Sequence, residues 1–296
     1  MPPAPDTDRL LGFHIPGRHA RGRLLRLGPV LEQILSAHAY AETPARLLGE
    51  ALALAALVGA ILRPDEGQVT LQAQPAGGRE APIRLLVADY LGGAIRGYLS
   101  VDPDRRLSPD ADLQDLFGEG RLVITLDQTV TSERYQGIVA LAGQSLAAAA
   151  ENYFDQSEQI PTLVRLAAGR DPSGQWRAAG FMVQHVARAE EGGERLHVGA
   201  GREHWNHVQA LAGTLSDTEL LDPAIPLETL LWQLFHEEEV RVMTPVPLSR
   251  GCRCSEEYIR SVLKRFPEEE RVGMRGDDGQ IRVDCEFCAR QFAFAL

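Results

Sequence analysis

The amino-acid sequence predicts an α+β fold, with a mixed sheet-and-helix N-terminal core, a helical linker and a small C-terminal unit. In the core, strand and helix patterns follow one another without a regular βαβ rhythm. After Val186 the composition shifts toward Glu, Arg and Gly, and all four cysteines lie in the last 45 residues. We therefore divide the chain of 296 residues into three units, 1–188, 189–250 and 251–296.

The core is predicted to begin with one long buried helix. Residues 1–20 are typical of a loose leader, and residues 23–39 have helical or mixed character. Thr43 precedes Pro44 and is the expected N-cap of a helix that continues to about Leu62. Because this helix is apolar almost all round, it should lie between two layers of the fold.

Alternating apolar and polar residues predict the strands of the core. These strands are expected at residues 68–74, 83–89, 94–101 and 122–126, from Tyr135 onward, and at 176–186. Gly92 and Gly93 separate two of them and permit the positive φ of a tight turn. An alanine-rich helix is expected over residues 141–154.

The linker is predicted to be helical, with amphipathic segments at residues 203–211 and 226–238. In the second segment, large apolar residues recur at helical spacing and form one stripe. The stripe contains Leu227, Leu230, Leu231, Leu234 and Phe235. Such a stripe more often docks a helix on its own core than on a partner. Both interpretations stay open, since one helix can do either in two different states.

The four cysteines form two close pairs, Cys252-Arg253-Cys254 and Cys285-Glu286-Phe287-Cys288, with thirty residues between the pairs. Each pair supplies two sulfurs from one tight turn, and such a set typically forms a tetrahedral thiolate site for Zn²⁺. We expect one zinc ion per chain. A four-thiolate site leaves no coordination position for a substrate. This favours a structural or switching role of the metal over a catalytic one, and we expect that the protein is not an enzyme.

Free thiols and permanent disulfides fit the cysteine pattern less well than a metal site does. Unrelated buried thiols would rarely cluster as CxC plus CxxC. Permanent disulfides are disfavoured because the first 251 residues contain no cysteine. A bond between cysteines two residues apart is also geometrically awkward and easily reduced, which makes it a poor staple but a usable sensor.

The C-terminal unit, residues 251–296, is predicted to contain a helix capped by Ser255 that ends near Arg265. A turn at residues 276–279 follows, and two strands at 280–284 and 291–294 flank the CxxC pair. About 45 residues cannot build a sufficient core alone, so metal binding should supply much of the folding energy.

Composition and charge narrow the possible partners. The net charge is −11, which disfavours nucleic-acid binding because that depends on neutralising phosphates. The N-terminal residues contain no apolar signal segment, and the most apolar stretch, residues 51–62, is too short to cross a bilayer, so we expect no membrane association. A reduced thiolate site then makes the cytoplasm the expected compartment.

The chain resembles the heat-shock chaperone family of 33 kilodaltons, the oxidation-activated holdases of the bacterial cytoplasm. The spaced cysteines, with Ser255 and Phe287 beside them, are the most specific part of the resemblance. The other similar segments are residues 95–98, 135–139 and 153–159 in the core, and 230–234 and 237–240 in the linker. Extra Gly and Arg residues around 273–276 depart from the family pattern and affect the loop between the cysteine pairs.

This resemblance implies a redox-active centre that controls an ATP-independent chaperone. Residues 1–188 would be the chaperone core, 189–250 a metastable linker and 251–296 the redox switch. In the reduced, inactive form, Cys252, Cys254, Cys285 and Cys288 would hold Zn²⁺. Oxidation would form the disulfides Cys252–Cys254 and Cys285–Cys288, release zinc and unfold the linker. The uncovered surface would bind unfolding client proteins during oxidative stress, and the oxidised chain would favour a homodimer.

Two functions of other classes remain as alternatives. The C-terminal unit could be a zinc-ribbon module that docks a larger domain on a partner. The CxxC pair could instead serve a thiol–disulfide oxidoreductase, although that chemistry usually places the motif at the start of a helix.

Overall fold

The computed structural model describes residues 7–62, 67–78, 80–105, 107–128, 133–141, 145–186 and 198–295. Two six-stranded sheets enclose a long buried helix, and a two-stranded sheet belongs to a small C-terminal unit. Helices and strands are mixed along the chain, so the predicted α+β class is confirmed.

The described strands, in chain order, are β1 (Arg9–Ile15), β2 (Ala20–Leu27), β3 (Gly67–Pro75), β4 (Ile83–Leu91), β5 (Ala94–Val101), β6 (Gly120–Gln128), β7 (Glu133–Ala140), β8 (Thr162–Arg170), β9 (Trp176–His185), β10 (Arg241–Val242), β11 (Val246–Pro247), β12 (Ser249–Arg250), β13 (Ile281–Asp284) and β14 (Gln291–Phe294). The described helices are α1 (Pro29–Leu35), α2 (Glu42–Gly59), α3 (Leu113–Phe117), α4 (Leu146–Tyr153), α5 (Val198–Ala212), α6 (Asp217–Leu221), α7 (Leu227–Phe235), α8 (Glu256–Leu263) and α9 (Glu268–Gly273). None of these helices is both long enough and apolar enough to cross a lipid bilayer.

The two large sheets share a simple antiparallel order. The first runs β10-β1-β2-β9-β8, and β11 also pairs with β1. The second runs β12-β5-β4-β3-β6-β7, in which only the described pair β12–β5 is parallel. Segments of the linker therefore extend both core sheets at their edges.

Helix α2 lies between the two sheets, as its all-round apolar sequence predicts, and packs against strands of both. Gly180 on β9 allows a close approach, because a Cβ there would lie 2.8 Å from Leu57. The predicted cap is wrong: the helix begins at Glu42, and the Thr43 hydroxyl donates to the carbonyl of Ser108 at 3.0 Å. The helix ends at Gly59, before the expected Leu62, and residues 63–66 lie outside the described part.

The opposite face of the first sheet is covered by the linker helices. Strand β9 is buried along almost its whole length because α2 covers one face and the linker the other. Neighbouring residues of β2 show the same division, since Leu25 belongs to the cluster around α2 and Leu24 to the cluster under the linker. The linker is thus the outer layer of the fold.

Several predicted elements are confirmed, two more differ from the prediction, and one strand was missed. The strands expected at residues 68–74, 83–89, 94–101, 122–126 and 176–186 are present, and Gly92 and Gly93 have positive φ between β4 and β5. Residues 9–15, expected to be part of a loose leader, form β1 instead, while residues 1–6 lie outside the described part. Strand β8 was not predicted. The alanine-rich helix starts at Leu146, where the Ser145 hydroxyl accepts from the amide of Ala148 at 3.2 Å, and residues 142–144 are not described.

Candidate metal centre

The first cysteine turn leaves directly from the edge of the core. Strand β12 pairs in parallel with Ala94 and Ile95 of β5, and the amide of Gly251 donates to the carbonyl of Ile95 at 2.8 Å. A Cβ on Gly251 would lie 2.5 Å from that of Ala94, so a glycine allows this close contact. Cys252 follows immediately and is therefore held beside the second sheet.

The second cysteine turn closes the hairpin between β13 and β14. The amides of Cys288 and Ala289 donate to the carbonyl of Cys285 at 3.2 and 2.8 Å, and the amide of Cys285 donates to the carbonyl of Arg290 at 2.9 Å. Ala289 has a φ of 55°, which the tight turn requires. The CxxC pair thus lies in a hairpin and not at a helix start, where an oxidoreductase would place it.

The two turns bring all four sulfurs together. The Sγ atoms of Cys252 and Cys254 are 3.3 Å apart, Cys252 and Cys285 are 3.6 Å apart, and Cys254 and Cys288 are 3.4 Å apart. All four lie within 4.8 Å of one another and are partly buried. A tetrahedral Zn²⁺ ion with bonds of about 2.3 Å needs sulfurs about 3.8 Å apart, so the donor set and its spacing fit zinc.

The thiols affect one another strongly. Burial opposes ionisation of the Cys252 thiol, but hydrogen bonds from the Cys254 backbone and the other three thiols outweigh it and lower its pKa to about 7. Burial and the neighbouring thiols raise the pKa of Cys254, and burial raises that of Cys285. A Zn²⁺ ion bound by the four sulfurs would favour the thiolate form of each.

The unit around the sulfurs has a small apolar core. Its buried side chains are Leu263, Ile281, Phe292 and Phe294, and Cys254 and Cys285 pack against them. The predicted cap is confirmed, since the Ser255 hydroxyl accepts from the amide of Tyr258 at 3.1 Å at the start of α8. The predicted turn at residues 276–279 and both strands are present, while helix α9 was not predicted.

The apolar stripe of the linker faces the first sheet. Leu227, Leu230, Leu231, Leu234 and Phe235 are all buried in one cluster with residues of β1 and β9. The ring of Phe235 lies 6.0 Å from that of Phe13, which lies 5.8 Å from that of Phe181. Trp232, on the opposite face of α7, is 66% exposed. The structure therefore places this stripe against the chain's own core.

Polar anchors that the sequence patterns did not reveal also join the linker to the core. Arg26 on β2 is fully buried and donates to backbone carbonyls at the end of α6 and beyond it. Arg9 forms a two-point ion pair with Glu228 of α7, at 2.7 and 2.6 Å. Glu238 accepts from Arg18 and lies 3.0 Å from His207. Of these anchors, Arg26 is the one buried deeply enough for its loss to be severe.

Three comparisons place this arrangement among known proteins. A family model described as Hsp33 protein matches residues 8–295. The chain is 43% identical over 300 residues to the 33 kDa chaperonin of Caulobacter vibrioides (strain NA1000 / CB15N), covering 97% of this chain and 96% of that protein. It is 34% identical over 291 residues to the 33 kDa chaperonin of Escherichia coli (strain K12 / DH10B), covering 98% and 93%.

A solved structure shows the same fold. The crystal structure of the 33 kDa chaperonin from Thermotoga maritima matches with a TM-score of 0.80 at 24% identity. The match covers 97% of this chain and 94% of the other.

Proposed function

Because this chain belongs to the Hsp33 protein family, we propose that it is a redox-regulated, ATP-independent holdase chaperone. One observation carries the regulatory part of the proposal. Four clustered thiols lie at one end of a linker whose other end covers an apolar face of the core. A chemical change at the sulfurs can therefore act, through the linker, on the helices that cover this apolar face.

In the reduced state, Cys252, Cys254, Cys285 and Cys288 would bind one zinc ion. Bound Zn²⁺ would keep all four sulfurs as thiolates and would cross-link the two cysteine turns. The apolar core of this unit contains few buried side chains, so its order would depend on that cross-link. With the linker docked, the phenylalanines of the first sheet stay covered, and the chain is inactive toward clients.

Oxidation by a peroxide would remove the ligands. One thiolate attacks the O–O bond, which gives a sulfenic acid and, after protonation, one water molecule. A neighbouring thiol then displaces a second water molecule and forms the S–S bond. Each disulfide thus consumes two thiols and one peroxide. We propose the family's pairs, Cys252–Cys254 and Cys285–Cys288, after which the chain no longer holds the ion.

Loss of the metal-dependent fold would release the linker. Structural zinc contributes on the order of 10 kcal/mol or more of apparent binding free energy. Docking of α7 through five apolar side chains contributes about a few kcal/mol once conformational entropy is subtracted. Because the first quantity exceeds the second, the state of the sulfurs can decide whether the linker is docked.

Unfolding client proteins would bind the uncovered apolar face, and the oxidised chain would form a homodimer. We propose a cytoplasmic, non-enzymatic protein of the oxidative-stress response that binds neither nucleic acid nor membranes.

The experiment compares reduced and oxidised protein in three measurements. Zinc per chain, free thiols and suppression of client aggregation are measured before and after peroxide treatment at elevated temperature. We expect one zinc and four thiols to fall to none of each while suppression appears, and dithiothreitol to reverse the thiol change. A variant with all four cysteines replaced by serine should not respond to peroxide. Suppression that rises while zinc stays bound would contradict the switch.

A further inference from the structure

A buried carboxylate lies beneath the metal centre, on the outer face of the second sheet. Asp89 of β4 is 3% exposed, and its neighbours in the same cross-strand row are Thr70 of β3 and Arg96 of β5. The Thr70 hydroxyl donates to Asp89 at 2.7 Å, and two nitrogens of Arg96 donate at 2.7 and 2.6 Å. This group is therefore fixed in place within the core.

The first cysteine turn reaches the same carboxylate. Arg253, the residue between Cys252 and Cys254, donates to Oδ2 of Asp89 at 2.8 Å and also to the side chain of Gln68. A hydrogen bond between two charged groups in a partly buried place is among the stronger polar contacts. The first turn is thus tied to the core through its central residue.

The second cysteine turn contacts strand β5 at Arg96. The guanidinium of Arg96, already bound to Asp89, lies 4.0 Å from the ring centroid of Phe287, a cation–π contact. Tyr98 follows two residues later on β5, where burial and then the nearby carboxylate of Glu286 raise the pKa of its hydroxyl. The residues inside both cysteine pairs therefore converge on one patch of the core, with Asp89 at its centre.

We propose that Asp89 is a positioning residue that holds both cysteine turns against the core and thereby slows loss of the metal. The inference rests on the proposed function, since it assigns to Asp89 a part in setting how readily the switch responds. A turn fixed at its central residue keeps its two sulfurs in place. A turn that is not held against the core must become ordered again whenever its two sulfurs rebind the metal, and this ordering costs conformational entropy.

Electrostatics alone predicts the opposite sign. Asp89 is an anion near four thiolates, so its neutralisation would favour the anionic metal site if charge were the main effect. If Asp89 acts by position, its neutralisation frees Arg253 and Arg96 and weakens the site. The direction of the effect in Asp89→Asn therefore distinguishes a positional role from an electrostatic one.

The experiment follows zinc transfer from the full-length, reduced, zinc-loaded protein to a chromophoric chelator, with and without peroxide. We expect Asp89→Asn and Arg253→Gln each to speed transfer on the order of tenfold. Because the two residues share one contact and each has one further partner, the double variant should show less than the product of the two single effects. The matched control is Asp127→Asn, which removes an Asp–Arg pair on the neighbouring strands β6 and β7 and should stay within about twofold of the wild type.

Three results would overturn the proposal: slower transfer in Asp89→Asn, unchanged transfer in Arg253→Gln, or additive effects in the double variant. Thermal melting of each variant shows whether the core is intact. If Asp89→Asn does not fold, Arg253→Gln decides alone, because it leaves the Asp89–Arg96 pair in place. Aggregation suppression is measured separately. Suppose that the variants transfer zinc faster, but that neither they nor the wild type suppress aggregation after oxidation. That result would refute the proposed function and leave the role of Asp89 standing.

Discussion

The guanidinium of Arg26, on a central strand of the first sheet, donates a 3.0 Å hydrogen bond to the carbonyl oxygen of Leu220 at the end of helix α6. Its other nitrogens donate to the carbonyls of Ile225 at 3.0 Å and Glu219 at 3.3 Å. Carbonyls at the end of a helix have no partner within it, and a cation there also interacts favourably with the helix dipole. One buried side chain thus binds three backbone groups of the linker to the core.

We expect Arg26→Met to loosen the linker in the reduced protein. The substitution removes three hydrogen bonds to linker carbonyls, one of them fully buried, so local opening of residues 216–225 should become easier by about 1–3 kcal/mol. Hydrogen exchange of these amides, followed by mass spectrometry, measures the effect. The control is Arg241→Met, since the Arg241–Glu239 pair is exposed and should contribute little. Equal exchange rates in Arg26→Met and the wild type would show that the contact is dispensable.

Helix α7 offers a matched pair of aromatic residues for testing the docked face. Phe235 is 1% exposed, whereas Trp232 is 66% exposed on the same helix. We expect Phe235→Ala to remove most or all of the docking free energy of α7, because truncating a buried phenylalanine costs about 3–5 kcal/mol and leaves a cavity beside Phe13.

Trp232→Ala should change the same quantity by no more than about 0.5 kcal/mol. Limited proteolysis of the reduced protein at increasing temperature compares the two variants. Similar cleavage of both would mean that the stripe does not hold the linker in place.

Metal removal should unfold the C-terminal unit and spare the core. The small cluster around Phe292 and Phe294 supplies little apolar burial, while α2 and the two large sheets form an extensive core. We expect chelation under reducing conditions to abolish exchange protection in residues 255–295 and to leave β3, β4 and α2 protected. Loss of protection throughout the chain would contradict this separation.

Glu50 should make the stability of the core depend on pH. Its carboxylate lines a cavity of about 360 Å³ between α2 and α6, with Arg46 and Asp217 nearby. Burial raises the pKa of Glu50 to about 7; Arg46 opposes this shift and Asp217 adds to it. Because the folded-state pKa lies above the unfolded value, the stabilisation is complete below about pH 4.5 and is lost as pH rises through 7.

Glu50→Gln removes this titration. At pH 8 the variant should be more stable than the wild type by about 3 kcal/mol, and the difference should vanish near pH 4.5. Urea unfolding at several pH values provides the measurement. A difference that stays constant from pH 4.5 to 8 would show that Glu50 does not titrate in this range.

Much of the site followed from local sequence patterns. The spacing of the cysteines, the Ser255 cap and the alternation around the CxxC pair are short-range signals, and the structure has the corresponding turns, helix and hairpin. The stripe of α7 could also be predicted from a short-range signal. Helical periodicity identifies a buried face, but it does not identify what covers that face.

Contacts between residues far apart in the chain could not be predicted from the sequence. Strand β1 contains charged and glycine residues beside apolar ones, and its strand character depends on pairing with β2, β10 and β11. Thr43 fits the pattern of a helix cap, yet its hydroxyl bonds to Ser108, far along the chain. The contact between Arg253 and Asp89 joins residues 164 positions apart, which no local pattern reveals.

The burial of Phe235 against Phe13 also suggests how bound clients would be released. A client segment that occupies this face of the first sheet would take the place of the chain's own α7. That helix is tethered to the core, and a short tether gives an effective concentration in the range of about millimolar. Under the proposed function the helix would be an intramolecular competitor of clients, and once the thiols are reduced it would displace them without any nucleotide.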